Sequence, residues 1–410
     1  MAYQIKHNQH DQLTHLIAAE QLLPDPADSM EIRHFQEDLA AVAGQGDLLI
    51  EFLESYGRFH RGRLSREKDA SEAISDAVMA IKKTRVAELV ARKSTEQRTP
   101  EWYIQASRIL TASELGGIFG SARARGQLVM SKAVAPSAEE IERRCSKPLT
   151  CPSVFMSPFD WGIRFEPVVK QIYEQKHCVQ IADLGRLVHP TDERIAASPD
   201  GLIVSGEGVA TDRVGCLVEI KCPISRELDE KVPADYYTQM QLQLEVTGLD
   251  VCYYVEAKFR SACAQRNKAG VEDLEGPAIV EGVLWLVERT GAAGPQKRYV
   301  YGPVGCVDLV EPPCHLLGQD DVILERVPWA LMAWNEIEVR RSATWWTGIQ
   351  GALAAFWEDV ERARRGEFMV PASSRPARVK KDEVCLIRVE EEAPVAHQEP
   401  RQMTIMEMFA

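Results

Sequence analysis

The stretch Ala197-Ser198-Pro199-Asp200-Gly201-Leu202-Ile203-Val204, followed after a glycine-containing interval by Cys216-Leu217-Val218-Glu219-Ile220-Lys221-Cys222-Pro223, decides the fold. Each half is a short apolar run of the length expected for a buried strand. Ser205 to Gly215 reads as the hairpin connection between them, and Pro223 lacks the N–H that would extend the second ladder. A strand places residues i and i+2 on one face, so Glu219 and Lys221 share a face. Two acids, Asp200 and Glu219, and one amine then converge at the end of a sheet.

Two carboxylates in a largely apolar setting repel each other and lose hydration, which raises their pKa values. A divalent cation reverses that cost, and hard oxygen donors suit Mg²⁺ or Mn²⁺, which keep several waters and hold a phosphate oxygen beside an attacking water. Lys221 would orient that water or offset the charge that builds on phosphorus. Taken by spacing alone, the same residues also fit an Asp-Gly turn followed by an ordinary surface Glu/Lys pair.

Pro199-Asp200 followed by Glu219-Ile220-Lys221 resembles the PD-(D/E)xK nuclease signature. The fuller strings S-P-D-G and E-I-K-C-P are similar to the YqaJ-like viral recombinases, the branch that includes the phage lambda-type exonucleases. Three further blocks fall in that family's order: T-A-S-E at Thr111 to Glu114, W-G-I-R-F-E at Trp161 to Glu166, and Y-Y-T-Q-M-Q at Tyr236 to Gln241. The resemblance implies an α/β fold with a restriction-endonuclease-like core, a central mixed β-sheet flanked by helices. It implies a 5′→3′ exonuclease on double-stranded DNA ends that serves recombination, replication or repair beside a single-strand annealing protein. The cofactor would be Mg²⁺, with Mn²⁺ able to substitute, held by Asp200, Glu219, the Ile220 carbonyl and the helical acid Glu166. Lys221 and Gln239 would complete the catalytic set. Ser113 and Arg108 would hold the DNA 5′-phosphate. There the chain departs from the pattern, because the family Arg falls four residues after the Trp and that position, counted from Trp102, is Ala106. Lambda-type relatives encircle DNA, which implies a homo-trimer. The same metal centre would also serve a structure-specific or nicking endonuclease, and loss of the phosphate Arg would suit a non-catalytic DNA-end or clamp-binding adaptor.

The composition is that of a globular protein, and 410 residues can bury a large core. A net charge of −13 argues against a chain coated in Lys and Arg for indiscriminate nucleic-acid binding. It leaves room for a nuclease whose basic residues cluster on one face. The ten cysteines include no CxxC pair and the start is polar, so an intracellular location, cytoplasmic or nuclear, with reduced thiols is expected. Neither Cys145 with Cys151 nor Cys314 beside His315 has the paired spacing of a zinc site. The apolar run near Ala278 to Val287 is interrupted by Glu281 and too short for a bilayer, so no membrane is expected.

Residues 1–95 are expected to be helical, from Leu48, Leu49, Phe52 and Leu53 and from Val78, Ile81 and Val86, with Pro100 closing the preceding helix. The nuclease-like domain is expected over 96–368. Phe165, Val168, Val169, Ile172 and Tyr173 form a helical stripe with Pro167 near its start. Tyr236 to Thr247 is ambiguous: Gln239 to Leu244 alternates with period two, while the residue types and Gly248 favour a helix. The resemblance implies the helix, with Gln239 at the motif position. Val251 to Phe259, Ile279 to Glu288 and Lys297 to Tyr301 read as strands, and Val327 to Phe368, with Trp329, Trp334, Trp345, Trp346 and Trp357, as a helical layer. Residues 369–410 are expected to be a flexible tail ending in Gln402, Ile405, Met408 and Phe409. That Q-x-x-I-x-x-M-F string resembles the peptide that binds a PCNA-like sliding clamp, one helical turn presenting three apolar side chains to a groove.

Overall fold

The computed structural model describes residues 67–372 apart from 93, 96–98, 147–155, 262–275 and 292–293. The expected helix at Leu48 to Leu53, the tail beyond residue 372 and the clamp-type peptide at Gln402 to Phe409 lie outside the described residues. The N-terminal part comprises helices α1 (Glu67–Ala91), α2 (Pro100–Ala106), α3 (Ala112–Leu115), α4 (Ala122–Ala133), α5 (Ala138–Cys145) and α6 (Pro158–His177), with strand β1 (Leu110–Thr111) ahead of α3. Strands β2 (Val179–Ala182), β3 (Leu187–Val188), β4 (Ile195–Ala197), β5 (Gly201–Gly206) and β6 (Leu217–Lys221) follow. Helix α7 (Ala234–Thr247), strands β7 (Val251–Ser261), β8 (Val280–Gly291), β9 (Gly294–Tyr301) and β10 (Asp321–Arg340), and helix α8 (Ala343–Arg364) complete it.

Seven strands make one mixed sheet in the order β2-β5-β6-β7-β10-β8-β9. β6 and β7 run parallel, which requires a crossover, and α7 supplies it. The other neighbours in this sheet are antiparallel. β1, β4 and β3 form a small second sheet.

β6 lies in the middle, so both its faces are buried and it reads as a continuous apolar run. Period two sorts its side chains. Leu217 packs into the core under α7 and α8 with Met240, Leu242 and Phe356, while Val218 and Ile220 pack against α6 with Trp161, Phe165 and Val168. Each large apolar side chain buried in this way contributes roughly 1.5–3 kcal/mol relative to exposure. α1 also joins the first core through Val86 and Leu89, in line with the stripe expected from Ile81 and Val86.

The structure corrects three expectations of local structure. Val327 to Arg340 is strand, with helix only from Ala343. The spacing of Val327, Ala330, Leu331 and Trp334 imitates a helix because register shifts at Ile323/Glu325 and Leu331/Ala333, where β10 pairs with β8 and β7, break the alternation a strand would show. Trp329 stands edge-on to the ring of Phe259, whereas Trp345, Trp346 and Trp357 do lie on helix α8. Pro100 opens α2 rather than closing the helix before it, and the Thr99 hydroxyl caps that start by accepting from the Trp102 N–H at 3.2 Å. Pro167 lies in the middle of α6, which begins at Pro158 with Ser157 as its cap. Tyr236 to Thr247 is a helix. Met240 to Leu244 are all buried, so it shows no amphipathic stripe, and Gly248 ends it at φ +66°, the left-handed conformation glycine adopts without strain.

Candidate active site

The β5/β6 ladder pairs Gly201 with Val218 and Leu202 with Leu217, and then the strands part. Beyond that point the Asp200 carboxylate takes over the role of a backbone carbonyl: Oδ2 accepts the Ile220 N–H at 2.7 Å. This fastens the loop acid to the carboxyl end of β6. Gly201 sits where a Cβ would overlap Cγ2 of Ile181 on β2, a packing reason for the glycine of S-P-D-G.

Glu219 and Lys221 share the α7 face of β6, and their side chains are in direct contact. Glu219 is fully buried, and Lys221 is 22% exposed. Gln239 Nε2 donates to Glu219 Oε1 at 2.6 Å and Gln243 Nε2 to Oε2 at 2.6 Å. Residues 239 and 243 are one helical turn apart and therefore face the same way. Gln241, on another side of the helix, donates to the Arg340 carbonyl at 2.7 Å and accepts from the Ser342 N–H at 2.8 Å, tying α7 to the end of β10.

A cavity of about 920 Å³ opens beside this end of the sheet, and its wall includes Asp200, Gln239, Glu166, Lys170, Ser113 and Arg186. Glu166 arrives from α6, with Lys170 one turn on at 2.9 Å; Lys170 also reaches Asp183 at 2.7 Å. Burial and the charge of Glu219 push the Asp200 carboxyl up to about 7, against the pull of Lys221 and the Ile220 N–H. Burial and the Asp200 charge likewise raise Glu166, opposed by Lys170. Burial alone would lower Lys221, but Glu219 and Asp200 outweigh it and hold the ammonium above its ordinary value.

Among the described residues no three His, Cys, Asp or Glu side chains are grouped closely enough to hold a metal ion. Glu219 is turned instead to Lys221 and the two amides. The donors nevertheless suit a hard cation: Asp200 and Glu166 are carboxylates on one wall, raised by burial and by the neighbouring acid charge, and Mg²⁺ commonly needs only one or two carboxylates, completing its shell with water and phosphate.

Ser113 lies on the cavity wall, next to the capped start of α3, where Glu114 accepts from the Thr111 N–H at 3.0 Å. Arg108 does not: it is exposed and is not among the lining residues. The guanidinium on the wall is Arg186, 2% exposed, stacked 4.0 Å from the Trp102 ring and donating to the Trp102 carbonyl at 2.8 Å. Its Nε has no hydrogen-bond partner, and burial pushes it down to about 10. Arg186, Lys170 and Gln243 were not legible as site residues. Lys170 stands four residues after Glu166, a spacing that signals a helical ion pair. Gln243 follows from Gln239 once the segment is known to be a helix. No local signal marks Arg186, which meets Trp102 from 84 residues away.

Residues 101–250 match the model of the YqaJ-like viral recombinase domain. An uncharacterized protein, R354, of Acanthamoeba polyphaga mimivirus is 29% identical over 172 residues, which is 40% of this chain and 29% of that protein's length. Among solved structures, an alkaline exonuclease (LHK-Exo) from Laribacter hongkongensis aligns at 16% identity over 65% of this chain and 95% of that one, TM-score 0.36. A phage-related exonuclease from Haemophilus somnus 129PT aligns at 10% identity over 63% and 96%, TM-score 0.34. Ser113, Glu166, Asp200, Glu219, Lys221 and Gln239 all lie within the residues that match the YqaJ-like viral recombinase domain.

Proposed function

We propose that this chain is a metal-dependent DNA exonuclease acting on double-stranded ends, in the 5′→3′ direction, in recombination or in DNA replication and repair. The observation that carries the reading is the buried Glu219 carboxylate in contact with Lys221 at the carboxyl end of β6, beside Asp200 and an acid-walled cavity. Asp200, Glu219 and the Ile220 carbonyl would hold Mg²⁺, with Glu166 binding directly or through water, and Mn²⁺ would substitute. When bound, the ion polarises the phosphate and lowers the pKa of a bound water.

The side chains do the rest. Lys221, kept protonated by its two carboxylates, orients the water and offsets charge on the phosphorus as a cation, not as a free base. Gln239 holds Glu219 Oε1 toward the cavity edge. At the other end of the cavity Ser113 and Arg186 offer a hydroxyl and a guanidinium to a terminal phosphate, with Arg186 in the role that the resemblance implied for Arg108. Further parts of the same proposal are a sliding clamp as partner of the peptide at Gln402, Ile405, Met408 and Phe409, and a strand-annealing protein that takes up the product strand.

End-labelled duplexes with a 5′-phosphate or a 5′-hydroxyl, and a covalently closed circle, test the reading with Mg²⁺ and with chelator. Release of nucleotides from phosphorylated ends with Mg²⁺ only, and an intact circle, is expected. A degraded circle would make the enzyme an endonuclease on the same centre, and DNA binding without cleavage would make it an adaptor.

A further inference from the structure

Both oxygens of the buried Glu219 carboxylate are engaged, and they are not equivalent. Oε1 takes Lys221 and Gln239, and Gln239 lines the cavity. Oε2 takes Gln243 at 2.6 Å, and Gln243 has no exposed surface. Oε1 therefore lies toward the cavity and Oε2 toward the protein interior. Gln243's own Oε1 has no partner among the described residues, so Glu219 alone orients this amide: turned over, it would set oxygen against oxygen. An unmet buried acceptor is destabilising, and Leu or Met would fill the same space without one. The amide's contribution must then lie in what its N–H groups do.

We propose that Gln243 is a positioning residue for the metal centre, pinning Oε2 of Glu219 inward so that Oε1 is the oxygen offered to a divalent cation at the cavity edge. This rests on the nuclease reading above. A carboxylate that ligates a cation is itself held by hydrogen bonds, and loss of such a partner typically lowers metal affinity about 10- to 100-fold. Gln241 is the internal control: it is equally buried on the same helix, but its amide is satisfied by Arg340 and Ser342 and does not touch Glu219.

The test is calorimetric titration of the full chain with Mn²⁺, for wild type, Gln243→Met and Gln241→Met, with thermal unfolding of each. The expected result is a loss of Mn²⁺ affinity of about 10- to 100-fold for Gln243→Met alone, whatever the two variants do to the unfolding temperature. If Gln243→Met does not fold, Gln243→Asn, which keeps an amide but withdraws it by one methylene, takes its place with the same expected loss. Affinity in the Gln243 variant within about twofold of wild type, or an equal loss in Gln241→Met, overturns the assignment and leaves the nuclease reading standing. A wild-type chain that takes up no Mn²⁺ overturns the metal centre and this assignment together.

Discussion

Replacing Glu336 by Gln should destabilise the protein at neutral pH and stop doing so in acid. Glu336 stands on β10 with its carboxylate 13% exposed, accepting from Arg213 at 2.7 Å and from Lys176 and His177 at 2.8 Å each. Arg213 in turn stacks over Tyr253 and donates to the Tyr173 hydroxyl at 2.5 Å. The network ties the C-terminal turn of α6, the helix that carries Glu166, to the central sheet. Burial disfavours the Glu336 charge, but Lys176, Arg213 and His177 prevail and hold its carboxyl at about 2. A folded-state pKa depressed from an ordinary 4.5 to about 2 corresponds to about 3 kcal/mol of stability above pH 5, or about 2 kcal/mol once the half-exposed Lys176 is discounted for screening. Because the shift is downward, that stability is fully present above the unfolded pKa and is lost as pH falls from about 4.5 toward 2. Urea unfolding of wild type and Glu336→Gln at pH 7, 5, 4 and 3 measures it. The gap in midpoint should be present from pH 7 to pH 5 and should shrink steadily below pH 5. A gap that does not shrink between pH 5 and pH 3 refutes the electrostatic account and leaves only lost packing.

Lys221→Met and Asp200→Asn should each lower nuclease turnover by at least about a hundredfold while circular dichroism and DNA binding remain measurable; near-wild-type turnover in either removes the mechanism. Arg186→Met should bring the rate on 5′-phosphorylated ends down toward the rate on 5′-hydroxyl ends, and Arg108→Ala should leave that ratio unchanged; the reverse pattern would return the phosphate role to Arg108. Gly201→Ala must push its new methyl into the stiff Ile181 side chain, so thermal unfolding should report a loss of about 1–3 kcal/mol. A neutral result would mean that β2 gives way freely.

The sequence alone determined what depends on neighbours along the chain. The two strands around Asp200 and Glu219, the shared face of Glu219 and Lys221, the stripe of α6 and the hairpin strands could be read because period two and period 3.6 are local properties of the backbone. The residues of the candidate site came largely from ordered motifs, and Ser113, Glu166, Asp200 and Gln239 do line one cavity. Tertiary structure decided the rest. β10 passes for a helix in the sequence because two register shifts interrupt the alternation it would otherwise display. Arg186 lines the cavity and Arg108 does not, because a guanidinium reaches a wall through space, here from 84 residues beyond Trp102. Gln243 matters because an amide buried beside a carboxylate must point its N–H at it, and which amide stands there is set only when α7 is laid against β6.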